Sequence, residues 1–259
     1  MLNLKTIYKS IFNESIRLKI TVFRRKLKGF ILKGNKVECN CCGKTFRAFL
    51  PKGNGIDLRE NAECPNCGSL ERTRLLLFYL QQETDLFKNQ NKLLHIAPED
   101  SLKKIFKSSL NIKYVNGDLN PNYADEIINL TNIQYPDNYF DYIICSHVLG
   151  HIPDEQRAIQ EMYRVLKPNG IAFVLTLLNR QDVTTIEDKN IQSEAERLKI
   201  YGEKDLVRIH GNDFQKRLQS PGFIVEKIDY TQNLPAEIII KHSINDNERG
   251  IIFKCIKFI

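Results

Sequence analysis

The chain has 259 residues, 42% of them hydrophobic and 27% charged, with seven cysteines and a formal charge of +7. That length suits one core domain with a small appendage, and the mixed composition excludes wholesale disorder. No uncharged apolar run approaches the roughly 18–20 residues that span a bilayer, and the N-terminus lacks the apolar stretch of a cleaved signal. A cytoplasmic protein is expected.

Residues 1–36 hold ten Lys/Arg against a single acid, Glu14, so the remaining body carries a slight negative excess. Any attraction to anionic partners is therefore confined to this basic arm. Within it, residues 12–31 predict a helix. Phe12, Ile16, Ile20, Phe23, Leu27 and Phe30/Ile31 recur at steps of three and four, with Lys19, Arg24, Arg25, Lys26 and Lys28 on the remaining faces. Three uses compete for such a basic amphipathic helix. Its apolar face docks on its own protein, or lies on the inner face of an anionic membrane, or its cations meet nucleic acid.

Residues 37–69 form a separate unit. Cys39-x-x-Cys42-Gly43 and Cys64-x-x-Cys67-Gly68 are two matching knuckles 21 residues apart. Between them KTFRAFL and the Gly-Asn-Gly at 53–55 predict strand and loop. Each knuckle aims two thiolates at one centre, and the trailing glycine lets the chain turn back. Four thiolates suit a structural Zn²⁺ with a closed shell, while iron–sulfur or redox use is the alternative. Cys41 is the spare thiol, because only the 39/42 pair repeats the spacing of 64/67. The segment 69–82 then predicts a largely buried helix.

From Lys92 onward strand and helix alternate, the sign of a parallel α/β sheet. Strands are expected at 92–97, 113–118, 126–130, 140–146, 171–177, 223–230 and 250–258, with helices at 154–167 and 212–219. In such sheets ligands bind beyond the carboxyl ends of the strands. Those ends here read His95-Ile96-Ala97-Pro98-Glu99, Asp118, Asn129-Leu130 and Ser146-His147. Asp118 follows Ala97 by 21 residues, the interval at which nucleotide folds place a ribose-binding acid. Asn129, with backbone at Leu130, suits an adenine edge. A nucleotide-like cofactor is expected, against the alternative that Asp118 is merely a turn residue in Gly-Asp-Leu-Asn-Pro.

From Lys36 almost to the end, the chain resembles a bacterial group of class I S-adenosylmethionine (SAM)-dependent methyltransferases of the methyltransferase type 11 kind. That group carries an N-terminal four-cysteine zinc knuckle. CPNCGSLERTRLL, LLHIAPE, YPDNYFDYIICSHVL, YRVLKPNG, TIEDK, VRIHG and RLQSPGF bear the resemblance. It implies a Rossmann-like seven-stranded sheet with helices on both faces, in a domain from 70 to 259 with an acceptor-side insertion at 178–211. It also implies that His95, Ala97, Pro98 and Glu99 form the first SAM loop. Asp118, flanked by Leu119, holds the ribose, Asn129 and Leu130 line adenine, and Ser146 and His147 sit beneath the sulfonium. Ala97 and Pro98 stand where methyltransferases usually have Gly-x-Gly, a substitution shared by the group.

Other departures lie on the acceptor side. Gly150 stands where the group usually has Glu, Ile186 replaces Tyr, Leu206 replaces His, and the strand ending at Leu177 lacks a usual Pro. His151, Glu187, Asp188, Asp205, Arg208 and His210 are the candidates near the acceptor. Of these, His151, Asp205, Arg208 and Glu187 are the expected catalytic set. The alternative for the carboxylates and Arg208 is an ion-pair network that closes the insertion, and for His151 a cap on the adjacent helix. The sequence therefore predicts methyl transfer to a small-molecule or glycan acceptor, such as an envelope precursor. An RNA acceptor, or SAM binding without turnover, are the competing readings.

Overall fold

The computed structural model describes residues 12–53, 58–179, 181–244 and 248–258. The first eleven residues of the basic arm and Asn54-Gly55 of the expected turn lie outside them.

Helix α1 (Glu14–Ile31) is capped by the Asn13 side chain, which accepts the Ile16 amide. Two small antiparallel pairs follow, β1 (Lys33–Glu38) with β2 (Thr45–Phe46) and β3 (Leu50–Lys52) with β4 (Arg59–Glu63). Helix α2 (Glu71–Gln82) is buried along most of its length, as its apolar composition requires.

The main sheet has seven strands: β5 (Asn91–Ile96), β6 (Ile112–Asp118), β7 (Glu126–Ile127), β8 (Phe140–Ser146), β9 (Leu166–Leu175), β12 (Phe223–Ile228) and β13 (Ile252–Lys257). Their order is β12-β13-β9-β8-β5-β6-β7. Only β13 runs against the others, pairing antiparallel with both β9 and β12. This is the Rossmann-like sheet expected of a class I methyltransferase. The expected strand at 126–130 shrinks to two residues, because the chain at Asn129 turns into an isolated bridge with Asn132.

Successive residues of the central strands face opposite layers, as the strand period demands. Leu94, Ile143, Val174 and Phe253 face helices α4 (Glu155–Val165) and α6 (Phe214–Gln219), and enclose Ile159, Met162 and Phe214. Leu93, Ile144, Phe173 and Ile252 face α2 and α3 (Asp100–Ser108), and enclose Leu76, Leu80 and Phe106. Each fully buried Leu, Ile or Phe contributes about 1.5–3 kcal/mol, so two continuous layers hold the sheet flat against both helix sets.

The Lys-Pro-Asn-Gly at 167–170 that follows α4 is drawn into β9, yet still bulges. Phe140 pairs with Leu166 and Tyr142 with Ile171, leaving 167–170 looped out. The 178–211 insertion forms β10 (Ile186–Glu187), α5 (Glu194–Tyr201) and β11 (Arg208–Ile209), with β10 and β11 paired. Helix α7 (Ala236–His242), which the pattern did not suggest, packs beside β1.

Arg74 joins the cysteine-bearing unit to the sheet domain. Its buried guanidinium donates to the carbonyls of Ala62, Ser69, His242 and Ser243 at 2.7–3.1 Å, and Phe49 lies over it. Burial lowers its pKa, opposed by the nearby knuckle cysteines and Glu71.

The expectation that α1 docks by its apolar face is overturned. Glu14, Leu18, Val22, Arg25 and Gly29 face the body, while Phe23 and Phe30 are each 67% exposed. The reason is contact geometry. A Cβ at Gly29 would stand 3.1 Å from Pro65, so the helix comes closest along its glycine edge rather than its phenylalanines.

Candidate functional site

The four knuckle cysteines converge. Their sulfurs all lie within 4.8 Å of one another, with Cys39 Sγ–Cys67 Sγ at 3.5 Å and Cys42 Sγ–Cys64 Sγ at 3.8 Å. A tetrahedron with metal–sulfur bonds of about 2.3 Å has edges of about 3.8 Å, so the donor set fits Zn²⁺. The amide of Gly43 reaches the Cys39 carbonyl at 2.7 Å and that of Gly68 the Cys64 carbonyl at 2.9 Å, each glycine at positive φ. These are the two return turns. Ser69 Oγ stands 3.1 and 3.3 Å from the sulfurs of Cys39 and Cys67. Cys41 is outside the group, its thiol turned to Asn40.

The second site lies where β5 and β8 adjoin and their connections leave toward opposite edges of the sheet, the topological switch point. Ala97 and His147, the residues directly beyond the two strands, adopt φ of +47° and +57°. Left-handed backbone costs a non-glycine residue about 1 kcal/mol or more, and such strain gathers at functional sites. The Ala97 turn is held by its amide on the Gly117 carbonyl at 2.8 Å.

His95 points into the core rather than at the switch point. Its Nε2 lies 2.9 Å from Glu99 and its Nδ1 3.1 Å from the Tyr114 hydroxyl. Burial works to raise the Glu99 pKa, but its hydrogen bond to His95 and the charges of His95 and Arg72 prevail and hold it low. An ionised Glu99 accepts from Nε2–H, while Nδ1 lies within hydrogen-bond distance of the Tyr114 hydroxyl, whose own proton burial holds firmly. Glu99 is also the N-cap residue of α3, so this pair fixes where the first loop meets its helix. Pro98 leads into that cap.

Asp118 ends β6, with Oδ1 accepting the Asn120 amide at 2.8 Å. Leu119 beside it is largely exposed and Leu130 is buried. Asn129 spends its carbonyl oxygen on the amide and hydroxyl of Thr131. The Ser146 hydroxyl, at the carboxyl end of β8, is buried with no hydrogen-bond partner. An orphaned hydroxyl beside two strained turns fits a polar ligand seated at the switch point.

A cavity of about 390 Å³ opens beside His147 and runs under the insertion. His151, Leu177, Tyr201, Glu203 and Leu206 line its catalytic-domain side, and Lys52, Arg59 and Arg72 line the side toward the cysteine unit. Arg72 is a residue that the sequence reading passed over as part of a buried helix. Its charge acts on both Glu99 and His147. His147 also lines the cavity, and burial, then Arg72, pushes its pKa well below the usual range, so the ring is neutral near pH 7.

The expected catalytic set divides. His151 lines the cavity, with Nδ1 at 3.6 Å from Asp205, in ion-pair range but beyond a hydrogen bond. Arg208 borders the cavity with its donors spent on Glu187 and the carbonyls of Leu149, Ile152 and Pro153. Glu187 faces a different cleft, about 620 Å³ in volume, which Asp188 also lines, and pairs with Arg208 and Arg217. His210 is buried, donating from Nε2 to Glu155 at 2.6 Å and accepting from Thr176 at Nδ1. The departures at 150 and 206 touch. A Cβ on Gly150 would lie 2.9 Å from Leu206, whose buried side chain takes the room that a larger residue at 150 would need.

Residues 101–174 match the sequence profile of a family described as a methyltransferase domain. A ubiquinone/menaquinone biosynthesis C-methyltransferase UbiE of Serratia proteamaculans (strain 568) is 38% identical over 76 residues, 29% of this chain and 29% of that protein. A demethylmenaquinone methyltransferase of Geobacillus sp. (strain WCH70) is 48% identical over 42 residues, 16% of this chain and 18% of that one. The chain thus spans under a third of the length of these relatives. Among solved structures, the YcgJ protein from Bacillus subtilis superposes with a TM-score of 0.49 at 16% identity, covering 71% of this chain and 98% of that one. The matched span runs from α3 to β9, past Asp118, Asn129 and His147, and over it the chain is similar in sequence to a methyltransferase domain.

Proposed function

We propose that the chain transfers a methyl group from SAM to an acceptor in the 390 Å³ cavity. The observation that carries this is the gathering of strained Ala97 and His147, Asp118 and the orphaned Ser146 hydroxyl at the ends of adjoining strands, with His147 also lining that cavity. SAM, when bound, supplies an electrophilic methyl carried on sulfonium. Asp118 would hold the ribose through the oxygen not used by Asn120, Asn129 and Leu130 would line the adenine, and Ser146 would meet the methionine end.

His151 serves the acceptor. As the acceptor gains the methyl group, His151 Nε2 would take the proton that the acceptor loses. Asp205 on the Nδ1 side steadies the resulting imidazolium. Arg208 and Glu187 hold the η-turn at 149–151 and the insertion in place. Contact between Gly150 and Leu206 favours a repacked acceptor wall over a decayed one, because Leu206 packs directly against the space above Gly150. A cavity of this size suits a small molecule or one glycan unit better than a base in an RNA duplex. We further read the four-cysteine cluster as a structural zinc site, with all four positions filled by sulfur and none left for substrate.

Methyl-labelled SAM incubated with fractionated cell extract tests the proposal. Wild type should label a small-molecule or glycan fraction, and His151→Asn should lower the rate about 10²–10⁴-fold. Label in no fraction would leave a binding protein without turnover, and label in RNA would overturn the acceptor class.

A further inference from the structure

Helix α1 is attached to the body by one edge and presents the other to solvent. Glu14 accepts from Asn120, Asn122 and the Tyr123 hydroxyl at 3.1–3.3 Å, and Arg25 reaches the Asn66 carbonyl and Glu63. The opposite face carries Ile16, Phe23, Leu27, Phe30 and Ile31, all exposed. At about 100° per residue, these fall on one stripe, with Arg17, Arg24 and Lys28 along one flank and Lys19 and Lys26 along the other.

At the end of the stripe lies a cleft of about 520 Å³ between the helix and the cysteine unit. Lys26, Lys33 and Lys44 line it together with Phe30, Thr45 and Asn66. No carboxylate lines it, and none pairs with these three lysines among the described residues. A stripe of phenylalanine and leucine is therefore continuous with a lysine-lined pocket of headgroup size.

We infer that this face binds the surface of an anionic phospholipid membrane. The apolar side chains enter the acyl boundary, the flanking cations reach lipid phosphates, and one headgroup occupies the lysine cleft. Two other occupants fit less well. Nucleic acid offers phosphates to the lysines but no apolar surface to Phe23, Leu27 and Ile31. A second copy would set the flanking cations of one helix against those of the other. No helix among the described residues is long and apolar enough to cross a membrane.

Sedimentation of the full chain with vesicles tests this, using phosphatidylcholine alone and phosphatidylcholine mixed with phosphatidylglycerol. Wild type should sediment with the anionic vesicles only, less so as salt is raised. Lys26→Glu/Lys33→Glu/Lys44→Glu and, separately, Phe23→Ser/Phe30→Ser should each weaken partitioning by about tenfold or more. All five side chains are exposed, so both variants should melt like wild type. Four results would overturn the inference. Wild type stays in the supernatant at low salt, or it binds both vesicle types equally. Alternatively, analytical ultracentrifugation shows a dimer that Phe23→Ser/Phe30→Ser dissolves, or the lysine variant loses RNA binding while keeping vesicle binding.

Discussion

Buried ionisable side chains tie the insertion to the sheet. Glu155, at the start of α4, accepts from His210 and Arg217, and His210 passes the contact on to Thr176 at the end of β9. Burial works to raise the Glu155 pKa, but His210 and the charges of Arg208 and Arg217 hold it low. Burial lowers His210 despite that carboxylate, and lowers His147 as well. These shifts share one sign. The unfolded chain binds protons on these histidines below about pH 6.5 that the folded chain refuses, so stability falls as pH drops through that value. The two carboxylates, Glu99 and Glu155, add to the loss only below about 4.5. Thermal melting should therefore weaken between pH 7 and 5, and His210→Gln should blunt that fall. A melting temperature that is flat or rises on acidification would contradict the assignment of neutral histidines.

At the scale of elements, the proposed zinc would hold the cysteine unit together. That unit has few buried apolar residues, Val37, Phe46 and Phe49 among them, and short strands, too little to hold fold without a cross-link. Purified protein should contain about one zinc per chain by elemental analysis. Cys64→Ala/Cys67→Ala should lose it and lower the melting temperature, whereas Cys41→Ala should keep it. Full metal content in the double variant would remove the site. The knuckles were legible because spacing and glycine position repeat, and the parallel sheet because strand ends follow its apolar runs. The outward face of α1 was not legible. Periodicity reveals that one face is apolar, but Gly29 against Pro65 decides which face meets the body. Asp118 and His151 could be placed by their positions beyond strands, whereas Arg72 sits inside a helical run whose apolar neighbours conceal its reach to His147.

Across the whole molecule three parts meet around one cavity. The sheet supplies His147 and Thr176, the insertion supplies Tyr201 and Leu206, and the cysteine unit supplies Lys52 and Arg59. Helix α1 bridges two of them, held by Arg25 to the cysteine unit and by Glu14 to the loop after Asp118 in the sheet domain. Arg74 closes the arrangement from beneath, with carbonyls from both the cysteine unit and α7. The cysteine unit is therefore a wall of the site as well as a neighbour to it, and the proposed methyl transfer requires first that SAM occupy the switch point. Calorimetric titration of the full chain with SAM tests that claim most directly. Wild type should bind at a single saturable site, and Asp118→Ala should weaken binding by about 1.5–3 kcal/mol, the scale of charge-assisted hydrogen bonds to one group. No binding by wild type, or unchanged affinity in the variant, would contradict the account.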